Sequence, residues 1–578
     1  MKAWRKRTRG AAIALGPLAA LGLALPAPPV AIPRFVDVTQ RSGVIFHHIS
    51  GDADVKRYIF ETKGGGIAAF DYDNDGLMDL YVVQGSTMDL WKAGKNPHGR
   101  LFHNLGGWKF EDVTEKAGLT IPAWGMGVAA GDYDNDGFAD LYLTNLGPNI
   151  LYHNNGDGTF TDVTEKAGVG DPRWSTSAAF GDYDNDGFLD LFVANYLDVS
   201  PDRLPMESPA CQYRGTPCMC GPRGLPGAGY SLYHNNGNGT FTEVSERTHV
   251  VNKNKYFGLA AVWADVNDDG KLDLFVANDA TPNLLFVNQG DGTFKEMGFA
   301  SGLAVNADGT EGANMGIDIA DYDNDGRLDA YVTHFAGDYS TLYHNEGNLL
   351  WQDVTAAAQV RDLPYVSWGT RFVDLNNDGW KDIFHANGHV YPFMERFPNG
   401  KETFRQPHTL YLNLKNGTFL DASSLAGEDI QKPTVGRGVA FADFDNDGDI
   451  DIAIANMNGS PELLRNDSPP QNHWVMFRTV GRKSNRDGIG ARITIAAGGL
   501  HQVWEVKRTV GIYSCSDPRA HFGLGGANRI DLVKVRWPSG KIQEFQGVAA
   551  DRHYVVDEEA GLSEEQFRTP VPVNAPPR

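Results

Sequence analysis

Seven short stretches of the chain carry carboxylates at a spacing that can close around a hard cation. Five read D-x-D-x-D-G-x-x-D: Asp71, Asp73, Asp75 and Asp79; Asp132, Asp134, Asp136 and Asp140; Asp182, Asp184, Asp186 and Asp190; Asp321, Asp323, Asp325 and Asp329; Asp443, Asp445, Asp447 and Asp451. Two variants place Asn third: Asp265, Asn267, Asp269 and Asp273; Asp374, Asn376, Asp378 and Asp382. Alternating oxygens at positions 1, 3 and 5 face one centre, the Gly at position 6 permits the tight turn, and position 7 can add a backbone carbonyl. Such an all-oxygen set suits Ca²⁺; Mg²⁺ is the weaker rival because it keeps several waters. The Glu at position 12 of a helix–loop–helix site is missing, and the flanks are β-branched, aromatic and Gly, so these loops join strands. The expectation is up to seven structural Ca²⁺, against the alternative that some loops are solvated Asx-turns.

Seven loops of one kind need seven frames of one kind. Successive first aspartates lie 61, 50, 83, 56, 53 and 69 residues apart, the mark of a repeat architecture. A second marker, of the type FTDVT, runs out of phase and starts at Phe35, Phe110, Phe160, Phe241, Phe294, Trp351 and Phe419. Each unit reads as strand, Asp loop, strand (DLYLTN), turn, strand (ILYHNN), Gly-rich turn and strand (FTDVT). Four antiparallel strands repeated radially make a β-propeller, whose ring leaves only short edges. The chain opens on the last strand of a unit, and its final loop has no such strand after it. FVDVT at 35–39 is therefore expected to complete the blade begun near Gly438. The fold class read here is all-β: a closed seven-bladed propeller over 35–467, with a Pro-rich insertion at 197–229.

Beyond Pro469–Pro470 the period stops. Residues 472–558 carry short alternating runs such as HWVMFRTV and IDLVKVRW that fit a small β-sandwich, and 559–578 read as a flexible tail. At the other end, residues 1–31 join a basic start to the apolar run Ala11–Leu25. That run falls short of a span of roughly 20 residues and reads as a secretory signal peptide. No later stretch reaches membrane length. Export agrees with the cysteines: four allow three pairings, of which Cys211–Cys220 would staple the insertion and leave Cys218 and Cys515 as thiols or a second bridge; the pairing stays open, with metal binding by the cluster as the rival. The 51 Lys+Arg against 73 Asp+Glu give a net charge of −22, which repels nucleic acid and anionic membranes.

On these residues the chain resembles a known family. The repeats look like FG-GAP/VCBS-type units, as in the integrin α-subunit propeller. SNRDGIGARITI (484–495), HFGLG (521–525) and VRWPSG (535–540) look like the ASPIC/UnbV domain. The combination is similar to the secreted cartilage acidic protein-like family. The resemblance implies a secreted calcium-binding propeller, gives the ligand role to the Asp and Asn positions named above, and implies no defined catalytic activity.

Five residues past each loop's last Asp comes one aligned position: Gln84, Asn145, Asn195, Asn278, His334, Asn387 and Asn456. The strand between carries it to the face opposite the loops, where a polar ring is a candidate ligand surface. Against this stands the use of Asn to cap its own turn. His103, His153, His234 and His344 occupy a repeat position and read as structural, and N-x-T at Asn238 and Asn416 reads as turn chemistry. No G-x-S-x-G, H-E-x-x-H or P-loop is found. The expected function is an adhesion or interaction scaffold, secreted or periplasmic, for an extracellular protein or glycan ligand. The alternative is a propeller enzyme acting on extracellular carbohydrate or using a transition metal, with His334, His385 and His389 joined by His47 or His48 at that mouth.

Overall fold

The computed structural model describes residues 31–200, 208–362, 364–397, 402–469 and 471–567. The segment 1–31 expected to be a signal peptide lies, Ala31 apart, outside the described residues. Seven four-stranded antiparallel sheets follow one another along the chain. The first comprises Ile67–Phe70, Asp79–Val82, Arg100–Asn104 and Phe110–Asp112, and the second Gly125–Gly131, Asp140–Asn145, Ile150–Asn154 and Phe160–Asp162. In the seventh, Gly436–Ala442, Asp451–Asn456 and Glu462–Asn466 take their outer strand from the N-terminus, with Phe35 opposite Asn466 and Asp37 opposite Leu464. Innermost strands neighbour one another in cyclic order, and the seventh returns to the first. The sheets therefore form a closed propeller whose ring is joined by strands from both ends of the repeat region.

The sequence of each blade follows its distance from the axis. Innermost strands such as GMGVAAG and STSAAFG are buried along their whole length and carry small residues where the blades crowd together. Outer strands bury chiefly one aromatic: Phe160 is inside while Thr161 and Asp162 are exposed. That aromatic packs on the Tyr at position 2 of the preceding blade's Asp loop. Phe160 lies 6.2 Å from Tyr72, Phe241 5.6 Å from Tyr133 and Phe419 5.7 Å from Tyr322, ring centre to ring centre. The out-of-phase marker is thus a blade-to-blade contact, and the large area each ring buries ties neighbours together.

After the ring, two further four-stranded sheets make the sandwich. One has the order Ala520–Gly525, His473–Val480, Arg552–Asp557, Gly561–Glu564; the other Leu500–Glu505, Arg492–Ala497, Arg529–Arg536, Ile542–Ala549. The sandwich thus continues past 558, and the tail expected from 559 begins as strand Gly561–Glu564. With Leu562 its one large apolar residue, that strand carries almost no hydrophobic alternation. Residues 568–578 lie outside the described ones.

Ring and sandwich belong to one compact unit. Residues 506–517 leave the sandwich and enter the axis of the ring. Val128 N–H donates to Tyr513 C=O (2.9 Å), Ile317 N–H to Gly511 C=O (3.1 Å), Cys515 N–H to Ile67 C=O (3.2 Å) and Asp517 N–H to Phe441 C=O (3.0 Å). Tyr513 N–H reaches Ser177 Oγ in the third blade (3.1 Å). Glycine makes room for this plug: a Cβ on Gly66 would lie 2.3 Å from Tyr513 C=O, and one on Gly438 2.3 Å from Ser514 Oγ. Cys515 is fully buried here, and burial pushes its thiol up to about 12. The disulfide is Cys211–Cys220, closing a hairpin of Ser208–Tyr213 and Thr216–Cys218 in the insertion, and Cys218 and Cys515 are buried thiols.

Candidate metal centre

Each Asp loop is built the same way. The position-1 carboxylate accepts the backbone N–H of positions 5 and 6; for Asp71 these are Asp75 (3.1 Å) and Gly76 (2.9 Å). Position 4 adopts a left-handed backbone, with φ of 57° at Asn74 and 62° at Asn135, which Asn tolerates better than most residues. The position-9 Asp is a pin. Asp79 accepts Tyr72 N–H (3.1 Å) on one oxygen and Asn104 N–H (2.7 Å) on the other, and Asp140, Asp190, Asp273, Asp329, Asp382 and Asp451 repeat the arrangement.

The loops are also linked to one another. The position-4 side chain donates its amide to the position-6 carbonyl of the next loop: Asn74 to Gly137 (2.9 Å), Asn135 to Gly187 (2.8 Å), Asn185 to Gly270 (3.1 Å), Asn324 to Gly379 (3.0 Å), Asn377 to Gly448 (3.4 Å), and Asn446 back to Gly76 (3.0 Å). Only the fourth loop lacks the donor, because Asp268 stands there; Arg492 of the sandwich donates to Gly326 C=O (2.7 Å) in its place. Sequence reasoning missed this ring, although its signal is plain: N precedes D-G in six of the seven loops.

The residues fit an oxygen-liganded cation. Oδ1 of Asp73, Asp134 and Asp445, all at position 3, is buried and has no hydrogen-bond partner. Burial and neighbouring carboxylates push Asp71 up to about 6, Asp132 and Asp182 to about 8, and Asp321 to about 7, although backbone N–H groups pull the other way. Crowded carboxylates with unused lone pairs are what a divalent ion relieves. His103, His153 and His234 each bond the position-9 Asp through Nδ1, at 3.1, 3.2 and 3.1 Å, while His344 bonds Asp323 through Nε2 (3.1 Å). The hydrogen bond to Asp79 pushes His103 up to about 9.

The sandwich roofs this face. Arg486 N–H donates to Asn135 Oδ1 (2.8 Å), Arg519 to Asp443 C=O (2.9 Å), Asn472 to Asn376 C=O (2.7 Å) and Asp265 N–H to Glu505 (3.0 Å). A cavity of about 530 Å³ remains between the first two loops and the sandwich, lined by Asp71, Asp132, Asp487, Arg508 and Arg519 among others.

The opposite face differs from the open polar ring expected of it. Gln84, Asn145, Asn195, Asn278, His334, Asn387 and Asn456 do lie at the far ends of the second strands, but all seven are buried. Their side chains serve nearby backbone and neighbouring side chains. Asn145 donates to Pro148 C=O (2.8 Å), Asn278 to Pro282 C=O (2.7 Å), Asn387 to Pro407 C=O (2.8 Å) and Asn456 to Ser460 C=O (3.0 Å). Gln84 donates to His47 C=O (3.0 Å), Asn195 to Asp171 (3.1 Å), and His334 Nδ1 meets Val332 C=O (3.0 Å). The histidines grouped as a possible metal set have separate partners: His385 faces Asp362 (3.2 Å) and His389 faces Glu402 (3.1 Å). His48 is buried with neither ring nitrogen bonded.

A closed propeller with carboxylate loops on one face and a sandwich seated on them defines the class of protein. The FG-GAP-like repeat family matches residues 71–143, 137–193, 225–276, 265–332 and 403–478, more than half of the chain, and ASPIC and UnbV matches 481–563. The chain belongs to the FG-GAP-like repeat family and carries an ASPIC and UnbV domain. It is homologous to cartilage acidic protein 1: it is 28% identical to that of Xenopus tropicalis over 300 residues (50% of this chain, 43% of the relative) and 24% identical to that of Homo sapiens over 316 residues (52% and 44%). The matched part spans less than half the length of these relatives. Among solved structures, an Agrocybe aegerita lectin described as recognising non-reducing terminal N-acetylglucosamine aligns over 73% of this chain and 94% of its own, with 15% identity and a TM-score of 0.34. Among the described residues no helix is long and apolar enough to cross a membrane.

Proposed function

We propose that the protein is an exported, calcium-loaded propeller that acts as an interaction scaffold for an extracellular protein or glycan. One observation carries the reading: the buried, unpartnered position-3 oxygens of Asp73, Asp134 and Asp445 sit in loops whose carboxylates already repel one another. In the first loop, Asp71, Asp73 and Asp75 would hold the ion together with a position-7 carbonyl. The ion supplies charge neutralisation and stiffens the seat on which the sandwich rests. The basic-then-apolar N-terminal segment and the Cys211–Cys220 disulfide support export.

With the loop face roofed, the partner surface is the other face. A groove of about 970 Å³ runs there between Val44–Phe46, the Asn456–Glu462 turn and Arg405. Ile45 stands 88% exposed at its lip and offers an apolar contact there. The test has two arms. Elemental analysis of protein purified without chelator should find calcium in stoichiometric amount; protein that binds none at millimolar calcium sinks the cation reading. Binding to a glycan array and to immobilised extracellular-matrix proteins should be lost in Ile45→Asp, and equal binding by the variant would discard the groove.

A further inference from the structure

The seven loops are not equivalent, and the difference lies in the chain's own cations. In the first three loops and the fifth, the position-3 Asp is faced by a histidine from the blade's third strand, with His103 3.8 Å from Asp73 and His153 3.3 Å from Asp134. In the fourth and sixth loops position 3 is Asn, and the histidine's place is taken by Val287 and Leu412. Both of those loops pair their reduced carboxylate count with two basic side chains. The Arg536 guanidinium lies 2.8 Å from Asp265 Oδ2 and 2.7 Å from Asp268 Oδ1, while Lys271 lies 3.1 Å from Asp269. With Asp269 N–H on Oδ1 and Gly270 N–H on Oδ2, both oxygens of Asp265 are engaged. In the sixth loop Lys415 lies 3.2 Å from Asp378. Lys381 is buried beside that loop over Trp504 (4.8 Å from the ring centre), its ammonium without a hydrogen-bond partner and attracted to Asp374.

We propose that the fourth and sixth loops are closed by these side chains and that the protein takes five divalent ions, not seven. The inference rests on the cation reading above and narrows it. Affinity of an oxygen site for Ca²⁺ falls as the number of carboxylates it offers falls, and at the ligand positions these loops offer three against two basic groups. The fifth loop also has one, Arg327 on Asp325, but it keeps four carboxylates. A guanidinium takes the same lone pairs that a dication needs, and its planar fork suits them. Arg536 is held at the end of the sandwich strand Arg529–Arg536, so it arrives with the domain and is not free to drift away. The fourth loop thereby becomes the ion-independent anchor of the sandwich: the one loop lacking the position-4 amide receives Arg536, with Arg492 bonding the loop beyond it.

The experiment is a calcium count by equilibrium dialysis with elemental analysis on the mature full chain, alongside Arg536→Gln and Asp71→Ala. The expected counts are five, six and four. Asp71→Ala checks that the count reports the loops. Any wild-type count other than five overturns the assignment, and this arm stands even if Arg536→Gln fails to fold. A folded Arg536→Gln that still binds five also overturns it. A wild-type count of zero removes the cation reading itself, whereas seven removes only the present one.

Discussion

The two faces of the ring are made by the same seven repeats and are put to opposite uses. On one face the loops keep carboxylate oxygens buried and unpartnered, as at Asp73 and Asp445, and a second domain is laid over them. On the other, residues of equal periodicity, such as Asn278 and Asn387, spend their side chains on backbone carbonyls a few residues away or across the hairpin. Periodicity in a repeat protein therefore marks a shared structural task but not a shared surface. What separates the faces is whether a polar side chain finds its partner within the blade. An Asn amide does; a crowd of carboxylates finds backbone N–H groups and a few histidine or basic side chains, and position-3 oxygens such as Asp73 Oδ1 are still left over.

The largest effect that can break this contrast is removal of divalent ions. An ion held at a thousandfold its dissociation constant contributes about 4 kcal/mol per site, so chelation should lower the calorimetric Tm by well over 10 °C, reversibly on adding calcium. A shift of a degree or two would place the loops with the self-satisfied turns. Next is the axial plug: Tyr513→Ala should cost about 3–5 kcal/mol in a urea melt, as for other buried aromatics, and should expose the ring axis to thiol reagents at Cys515. Unchanged stability would mean that the ring does not depend on the sandwich.

A smaller effect sharpens the second face. Asn278→Ala, which removes the bond to Pro282 and leaves Tyr230 OH without its acceptor, should cost about 1–3 kcal/mol without altering the calcium count. On the same face Glu402 is buried against His389, Tyr213 and Arg214, and those hydrogen bonds, outweighing its burial, hold its carboxyl down to about 2. A depressed carboxylate stabilises the fold above its ordinary value near 4.5 and loses that contribution as pH falls toward about 2. Melts of wild type and Glu402→Gln between pH 6 and 2 should therefore converge at the acid end; a constant gap would refute the assignment. Smallest of all, Asp268→Asn would supply the absent amide of the loop ring and should change stability by about 1 kcal/mol or less.

Much of this was legible without coordinates. The two markers and their offset lead to the closed ring and to the N-terminal strand at Phe35 completing the last blade, where it pairs with Asn466, because strand period, turn residues and repeat count are local properties of a sequence. A disulfide in the Pro-rich insertion was legible from the clustered cysteines, but its pairing was not, and the structure selects Cys211–Cys220. The strand Gly561–Glu564 was hidden because its partner Arg552–Asp557 supplies the hydrogen bonds while its own residues supply little apolar signal. The ligand-face reading took periodic polarity for exposure, and burial is a property of what packs on top.

By itself the sequence determined the repeating elements of the ring, the number of repeats, the closure and the chemistry each loop can offer, since all of these are set by spacing along the chain. Tertiary structure alone decided which face is roofed, that residues 506–517 fill the axis, and that Arg536 reaches Asp265 from 271 residues away. Contacts at that separation depend on how two independently patterned domains dock, and no local period encodes it.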